Sequence, residues 1–141
     1  RIAERLKMRI GTAIEPEEPL EIEMRGRDLL TGLPKEIIIN DSQIREAIHR
    51  SVRTIVENIK ATLETTPPEL VADIYERGIV LTGGGALLRG MDILISRQAA
   101  IPVRVADDPL TCVVRGAGLL LEDPRLLKDI SLPSTTEGSI I

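Results

Sequence analysis

Three apolar residues, Ile79 to Leu81, and Thr82 form a short run that ends in three consecutive glycines, Gly83, Gly84 and Gly85. Glycine loses more backbone freedom on ordering than any other residue, so three in succession need a reason in the chain path. An apolar run that short, bounded by turn residues, reads as a fully buried strand. The turn is expected to lead into a helix reaching about Gln98, and Pro102–Ala106 reads as a second strand. Upstream, Thr66-Pro67-Pro68-Glu69 has the form of a capping box, with Thr66 as N-cap, Pro67 at N1 and Glu69 at N3. The helix it starts should run to Arg77 and stop at a left-handed Gly78. Downstream, Asp108 before Pro109 reads as the N-cap of a helix from Leu110 to Glu122, with Val113, Val114, Ala117 and Leu120 or Leu121 facing inward. Helix, strand, helix, strand, helix in this order predicts an α/β lobe.

The first half of the chain reads differently. Residues 1–11 open in helical register, with Ile2, Leu6 and Ile10 on one face and Gly11 as the stop. The register begins without a cap or an initiating Met, so the chain is expected to be part of a longer one. An acidic, proline-broken linker from Ile14 to Pro19 follows, then an alternating strand from Leu20 to Arg25 and a short one from Glu36 to Ile39. The strongest helical pattern runs from Ser42 to Glu64, with Ile44, Ile48, Val52, Ile55, Ile59 and Leu63 at spacings of three and four, capped by Asp41 or Ser42. The expected organisation is therefore 1–11 and 58–123 as one α/β lobe, 12–57 as a smaller α+β lobe inserted into it, and 124–141 as a C-terminal segment with a disordered tail from Ser131.

Composition removes several classes of function. The net charge is −4 and Tyr75 is the only aromatic residue, so the chain lacks the basic face and stacking rings of a nucleic-acid binder. With Cys112 and His49 as single examples of their types, neither a disulfide framework nor a zinc centre is expected, and a reducing, cytoplasmic setting fits. No apolar run approaches the roughly 18 residues of a membrane span. Cys112 is expected as a small core residue, His49 as a solvated or partly packed one, and Gly116 and Gly118 as points of close helix–sheet approach.

The glycine turn matches neither common phosphate motif. A dinucleotide fingerprint counted from Gly83 needs glycine where Leu88 stands, and a P-loop counted from Gly85 needs Lys-Ser/Thr where Met91-Asp92 stands. Two readings remain. Either the glycine N–H groups face an anion with a helix N-terminus behind them, or the turn is a tight, closely packed corner. Three glycines at the carboxyl end of a buried strand favour ligand binding.

The run from Thr66 to Gly90 (TPPELVADIYERGIVLTGGGALLRG), with Asp107 to Gly118 (DDPLTCVVRGAG) and Ala3 to Lys7 (AERLK), resembles the MreB family of bacterial actin homologues, within the actin/Hsp70/sugar-kinase superfamily. The resemblance covers nearly all of the chain except the tail. It implies the second domain of an actin-like ATPase: a ribonuclease H-like lobe IIA with lobe IIB inserted. It further implies ATP as ligand, with Mg²⁺ held mainly by a first domain, and assembly of the whole protein into membrane-associated filaments that guide cell-wall synthesis and rod shape. Implied partners are further copies of the protein, the membrane adaptor RodZ on lobe IIA and the wall-elongation machinery. By the same resemblance, Gly83, Gly84 and Gly85 belong to the adenosine motif, and Leu87 or Leu88 offers adenine an apolar surface. Glu4 and Lys7, an i,i+3 pair that would otherwise read as a weak surface ion pair, hold the ribose hydroxyls. No catalytic residue falls in this chain, so alone it is expected to bind ATP weakly, not to hydrolyse it, and to make no direct membrane contact. A chaperone or sugar-kinase member of the superfamily, or an interaction module needing no nucleotide, are the alternatives.

Overall fold

The computed structural model describes residues 2–123 together with Arg125 and Lys128, so the expectations for the rest of 124–141 lie outside the described residues. Helix α1, Ile2–Ile10, buries Leu6 and Ile10 but leaves Ile2 exposed. Strands β1, Glu21–Arg27, and β2, Pro34–Asn40, form an antiparallel hairpin whose register runs from Glu21 opposite Asn40 to Arg27 opposite Pro34. The alternation in β1 places Ile22 and Met24 on the half-buried face, as expected.

β2 runs straight into helix α2, Asp41–Thr65. Its cap is Asn40, one residue before the expected position: the Asn40 side chain accepts from the Gln43 amide (2.9 Å) while the Gln43 side chain accepts from the Asn40 amide (3.1 Å). Two orphan donors are satisfied reciprocally, and Asp41 is released for another task. Asn40→Ala should lower stability by about 1 kcal/mol, read from the urea midpoint. The buried stripe also differs by one position: Val56 enters the core, whereas Ile55 is 45% exposed. The i,i+4 series from Ile48 through Val52 to Val56 holds the inner face, and Ile55 lies beside it.

Helix α3, Pro68–Arg77, has no side-chain cap. The expected box at Thr66 is not formed, because Thr66 closes α2 instead, donating from its hydroxyl to the Thr62 carbonyl at 2.6 Å. Then follow β3, Ile79–Leu81, a 3₁₀ turn, Gly84–Leu87, helix α4, Met91–Ala99, strand β4, Val103–Val105, and helix α5, Cys112–Glu122. β3 and β4 pair in parallel with Ile79 opposite Val103, and α4 is the crossover between them. The core joins α2 to α4 through Val52, Val56, Met91 and Ile95, with Leu81, Leu88 and Val103 packed against it.

Two expectations about burial fail for one reason. β3 is not fully buried, since Val80 is 42% exposed, and α5 buries nothing, with Val113 78% and Val114 67% exposed. Their apolar faces are real in the sequence, but no second layer covers them among the described residues. Gly116 and Gly118 accordingly allow no close approach; a Cβ at either would meet no atom within 4 Å. Cys112 is half-buried, its Sγ 3.5 Å from the Asp108 carbonyl, and His49 is exposed.

Candidate functional site

β3 delivers the chain to the glycine turn. Its ends are fixed by β4: the Ile79 amide donates to the Pro102 carbonyl (2.8 Å), and the Ala106 amide to the Leu81 carbonyl (3.0 Å). Beyond Thr82 the backbone reverses at Gly83, with φ 77° and ψ 179°, a region only glycine occupies readily. The Gly83 amide is engaged, donating to the Pro109 carbonyl at 2.7 Å, while the Ala86 amide donates to the Gly83 carbonyl at 3.2 Å. The amides of Gly84 and Gly85 have no hydrogen-bond partner among the described residues, as the first N–H groups of a helical turn do not. Both glycines are exposed.

This decides between the two sequence readings of the turn as far as packing goes. A Cβ at Gly83 or Gly85 would meet nothing within 4 Å, and one at Gly84 would meet only Leu110 Cδ2 at 3.6 Å. The corner is open, not tightly packed. The helix behind it is displaced: a 3₁₀ turn and a left-handed Gly90 intervene before α4 begins at Met91. The dipole of α4 therefore does not stand directly behind the glycines.

The two leucines that follow have separate fates. Leu88 packs on the core, whereas Leu87 is 55% exposed and is the one able to face a ligand. Leu110, 65% exposed, adds a second apolar side chain near the turn, a residue the sequence reading took only as the start of a helix. The helix starts at Cys112, because Asp108 is not a cap. It sits at φ 47° and its carbonyl accepts from the Thr111 amide (3.1 Å), closing a tight turn.

Glu4 and Lys7 are exposed on α1, and no ion pair joins them among the described residues. What links their helix to the turn is backbone. Thr12, directly after α1, forms a parallel bridge with Arg89, and the Ala13 amide donates to the Arg89 carbonyl at 2.8 Å. Backbone bonds alone are seen between this segment and the turn among the described residues. Thr12 is itself buried, at 2% exposure, and its hydroxyl accepts from Arg45 (3.1 Å), which also pairs with the buried Asp41 (2.7 Å). Asp41 in turn accepts from the Leu20 amide at the root of the hairpin (3.0 Å). Sequence reasoning missed this network because Thr12 and Leu20 lie far along the chain from the Asp41–Arg45 pair, and each member has an ordinary local role available.

The described residues hold no cluster of three or more His, Cys, Asp or Glu side chains that could bind a metal ion, and no helix among them is long and apolar enough to cross a membrane.

Comparison with known proteins agrees with this architecture. The family model described as MreB/Mbl protein matches residues 1–129. The chain is 52% identical over 120 residues to the cell shape-determining protein MreB of Escherichia coli K12, covering 85% of this chain and 35% of that protein. It is 45% identical over 123 residues to the cell shape-determining protein Mbl of Bacillus subtilis 168, covering 87% and 37%. Among solved structures, MreB5 of Spiroplasma citri bound to ADP superposes with a TM-score of 0.81 at 32% identity, covering 91% of this chain and 39% of that one. The same protein bound to AMPPNP gives a TM-score of 0.78 at 34% identity, covering 90% and 38%. The chain thus spans little more than a third of the length of these relatives. With an actin-like α/β fold and a family match over nearly all of its length, the chain belongs to the MreB/Mbl family of cell shape-determining proteins.

Proposed function

We propose that this chain is the second domain of an ATP-binding actin homologue that polymerises into membrane-associated filaments and directs cell-wall synthesis, and that it supplies one wall of the nucleotide cleft. The observation that carries this reading is the open turn: two adjacent amides, Gly84 and Gly85, with no partner among the described residues, beside the exposed Leu87 at the carboxyl end of a parallel strand. Adjacent free N–H groups make a concavity suited to an anionic or polar oxygen. The solved relatives that superpose on the chain are complexes with ADP and with AMPPNP, which supports a nucleotide as occupant.

In this reading the glycine amides donate to the nucleotide, Leu87 lies against adenine, Glu4 accepts from the ribose hydroxyls and Lys7 donates to them. Mg²⁺ would be held by a facing domain, where it would neutralise the phosphates. Docking to a membrane adaptor of the RodZ type and to the wall-elongation machinery belongs to the same proposal.

The open geometry makes the test clean. Gly84→Val or Gly85→Val adds bulk where almost nothing stands in the way, so the fold should survive. In the complete polypeptide, each change should weaken ATP binding by roughly tenfold or more, about 1.4 kcal/mol, measured by titration with a fluorescent ATP analogue. Unchanged affinity in both variants, with intact circular dichroism, would remove the turn from the site and favour a module that needs no nucleotide.

A further inference from the structure

A groove between α2 and α4 takes no part in the nucleotide reading, for it shares no residue with the glycine turn, Glu4 or Lys7. It exists because the two helices differ in length. α4 has 9 residues and α2 has 25, so roughly 14 Å of helix is set against roughly 38 Å, and the inner stripe of α2 outruns its cover. The groove has a volume of about 390 Å³, within the range of sites that hold small molecules. Its floor is apolar: Val52 and Val56 are buried, and Ile48 and Leu94 pack beside them. From Ile48 to Val56 the floor runs for roughly 12 Å along α2.

The rim is charged, and most of its charge is already matched. Arg45 pairs with Asp41 at 2.7 Å, and Arg53 Nε pairs with Glu57 Oε1 at 2.7 Å. Lys60 differs. Its Nζ reaches from α2 to α4 and donates to Gln98 Oε1 at 2.9 Å, a neutral partner. No carboxylate stands within ion-pair distance of Lys60 among the described residues. The lysine is half-buried, so its stem adds apolar surface while its charge stays at the edge.

The chemistry of that pair selects a ligand. An ammonium with one neutral partner keeps two N–H groups to donate, and Gln98, whose oxygen is taken, keeps its amide N–H groups. An unmatched positive charge thus stands one helical turn beyond the end of an apolar floor, in a chain whose net charge is −4. In a partly desolvated groove its attraction for an anion exceeds that of a lysine in open water. A carboxylate would complete the pair with charge-assisted hydrogen bonds, and a hydrocarbon body would cover the floor.

We infer that the α2–α4 groove binds a small amphiphilic carboxylate, its hydrocarbon along Ile48, Val52, Val56 and Leu94 and its carboxylate on Lys60 and Gln98. The test uses the full-length protein containing this chain, with octanoate as the probe and 1-octanol as the same chain without the charge. Methyl NMR signals of Ile48 and Leu94 should shift saturably with octanoate, and octanol should bind more weakly by roughly fivefold or more. Lys60→Gln removes the charge, and Gln98→Glu sets a competing carboxylate beside it. Each should weaken octanoate binding by roughly fivefold or more and leave octanol binding and the affinity for an ATP analogue unchanged. Octanoate that does not shift these methyl signals saturably, octanoate that binds no tighter than octanol, or an octanoate affinity unaltered by either substitution overturns the inference. None of these results touches the nucleotide reading.

Discussion

Gly78→Ala should destabilise the chain by about 3 kcal/mol. Two independent costs combine. Gly78 closes α3 at φ 79° and ψ −175°, not the left-handed helical stop foreseen from sequence but an extended mirror-image conformation that costs a side-chain-bearing residue about 1–3 kcal/mol. An added Cβ would also lie 2.6 Å from the Pro102 carbonyl oxygen and 3.2 Å from Pro102 Cβ. That same oxygen accepts from the Ile79 amide at 2.8 Å, so backing away from the clash sacrifices the hydrogen bond that begins the β3–β4 pairing, worth about 1 kcal/mol. Gly116→Ala is the control: its Cβ meets nothing, its φ is ordinary, and a helix interior should gain up to about 1 kcal/mol from the change. Urea titrations of the two variants should therefore move in opposite directions. If Gly78→Ala shifts stability by less than about 0.5 kcal/mol, the positive φ is not required for the fold.

Asp41→Asn should cost about 2 kcal/mol near neutral pH, and the cost should fade in acid. Asp41 is 4% exposed, with one oxygen taking the Leu20 amide and the other the Arg45 guanidinium. Breaking a fully buried ion pair costs about 3–5 kcal/mol, and the figure is reduced here because the Arg45 side chain keeps 25% of its exposure. The Leu20 N–H, first, and Arg45, second, hold the Asp41 carboxyl below its ordinary value of 3.8. The folded state therefore resists a proton that the unfolded chain accepts. The stabilisation is complete above the ordinary value and is lost as the pH falls through the lower, folded one. Stability curves for the parent chain and Asp41→Asn should converge below pH 3.8. Asp28 and Glu36, also held below their ordinary values, are common to both proteins and drop out of the difference. A gap that stays constant from neutral pH into strong acid would show that the charge of Asp41 is not what the network uses.

The parts of the fold that sequence made legible are those fixed by neighbours in the chain. The alternation of Ile22 and Met24, the long stripe of α2 and the parallel strands around Gly78–Gly85 all follow from local periodicity and turn chemistry. Caps were misplaced by one residue or one helix because Asn40, Asp41, Thr66 and Asp108 are all competent caps, and only tertiary contacts choose among them. Asp41 was drawn inward by Arg45, which left the cap to Asn40. The apolar faces of β3 and α5 were legible as faces, but sequence cannot show whether a layer covers them. At the candidate site, the glycines could be located from sequence. Which amides stay free could not, since the Gly83 amide is taken by Pro109, far along the chain.

The bridge between Thr12 and Arg89 also bears on the order in which the chain can assemble. It closes a loop containing the whole hairpin, α2 and α3, whereas the hairpin and α2 are built from near neighbours. Closing a large loop carries an entropic cost that later contacts must offset, so local elements form first. During synthesis, α1 leaves the ribosome before Arg89 and has no seat beside the glycine turn until Arg89 has followed it out. The two parts proposed to grip the nucleotide therefore meet late in folding.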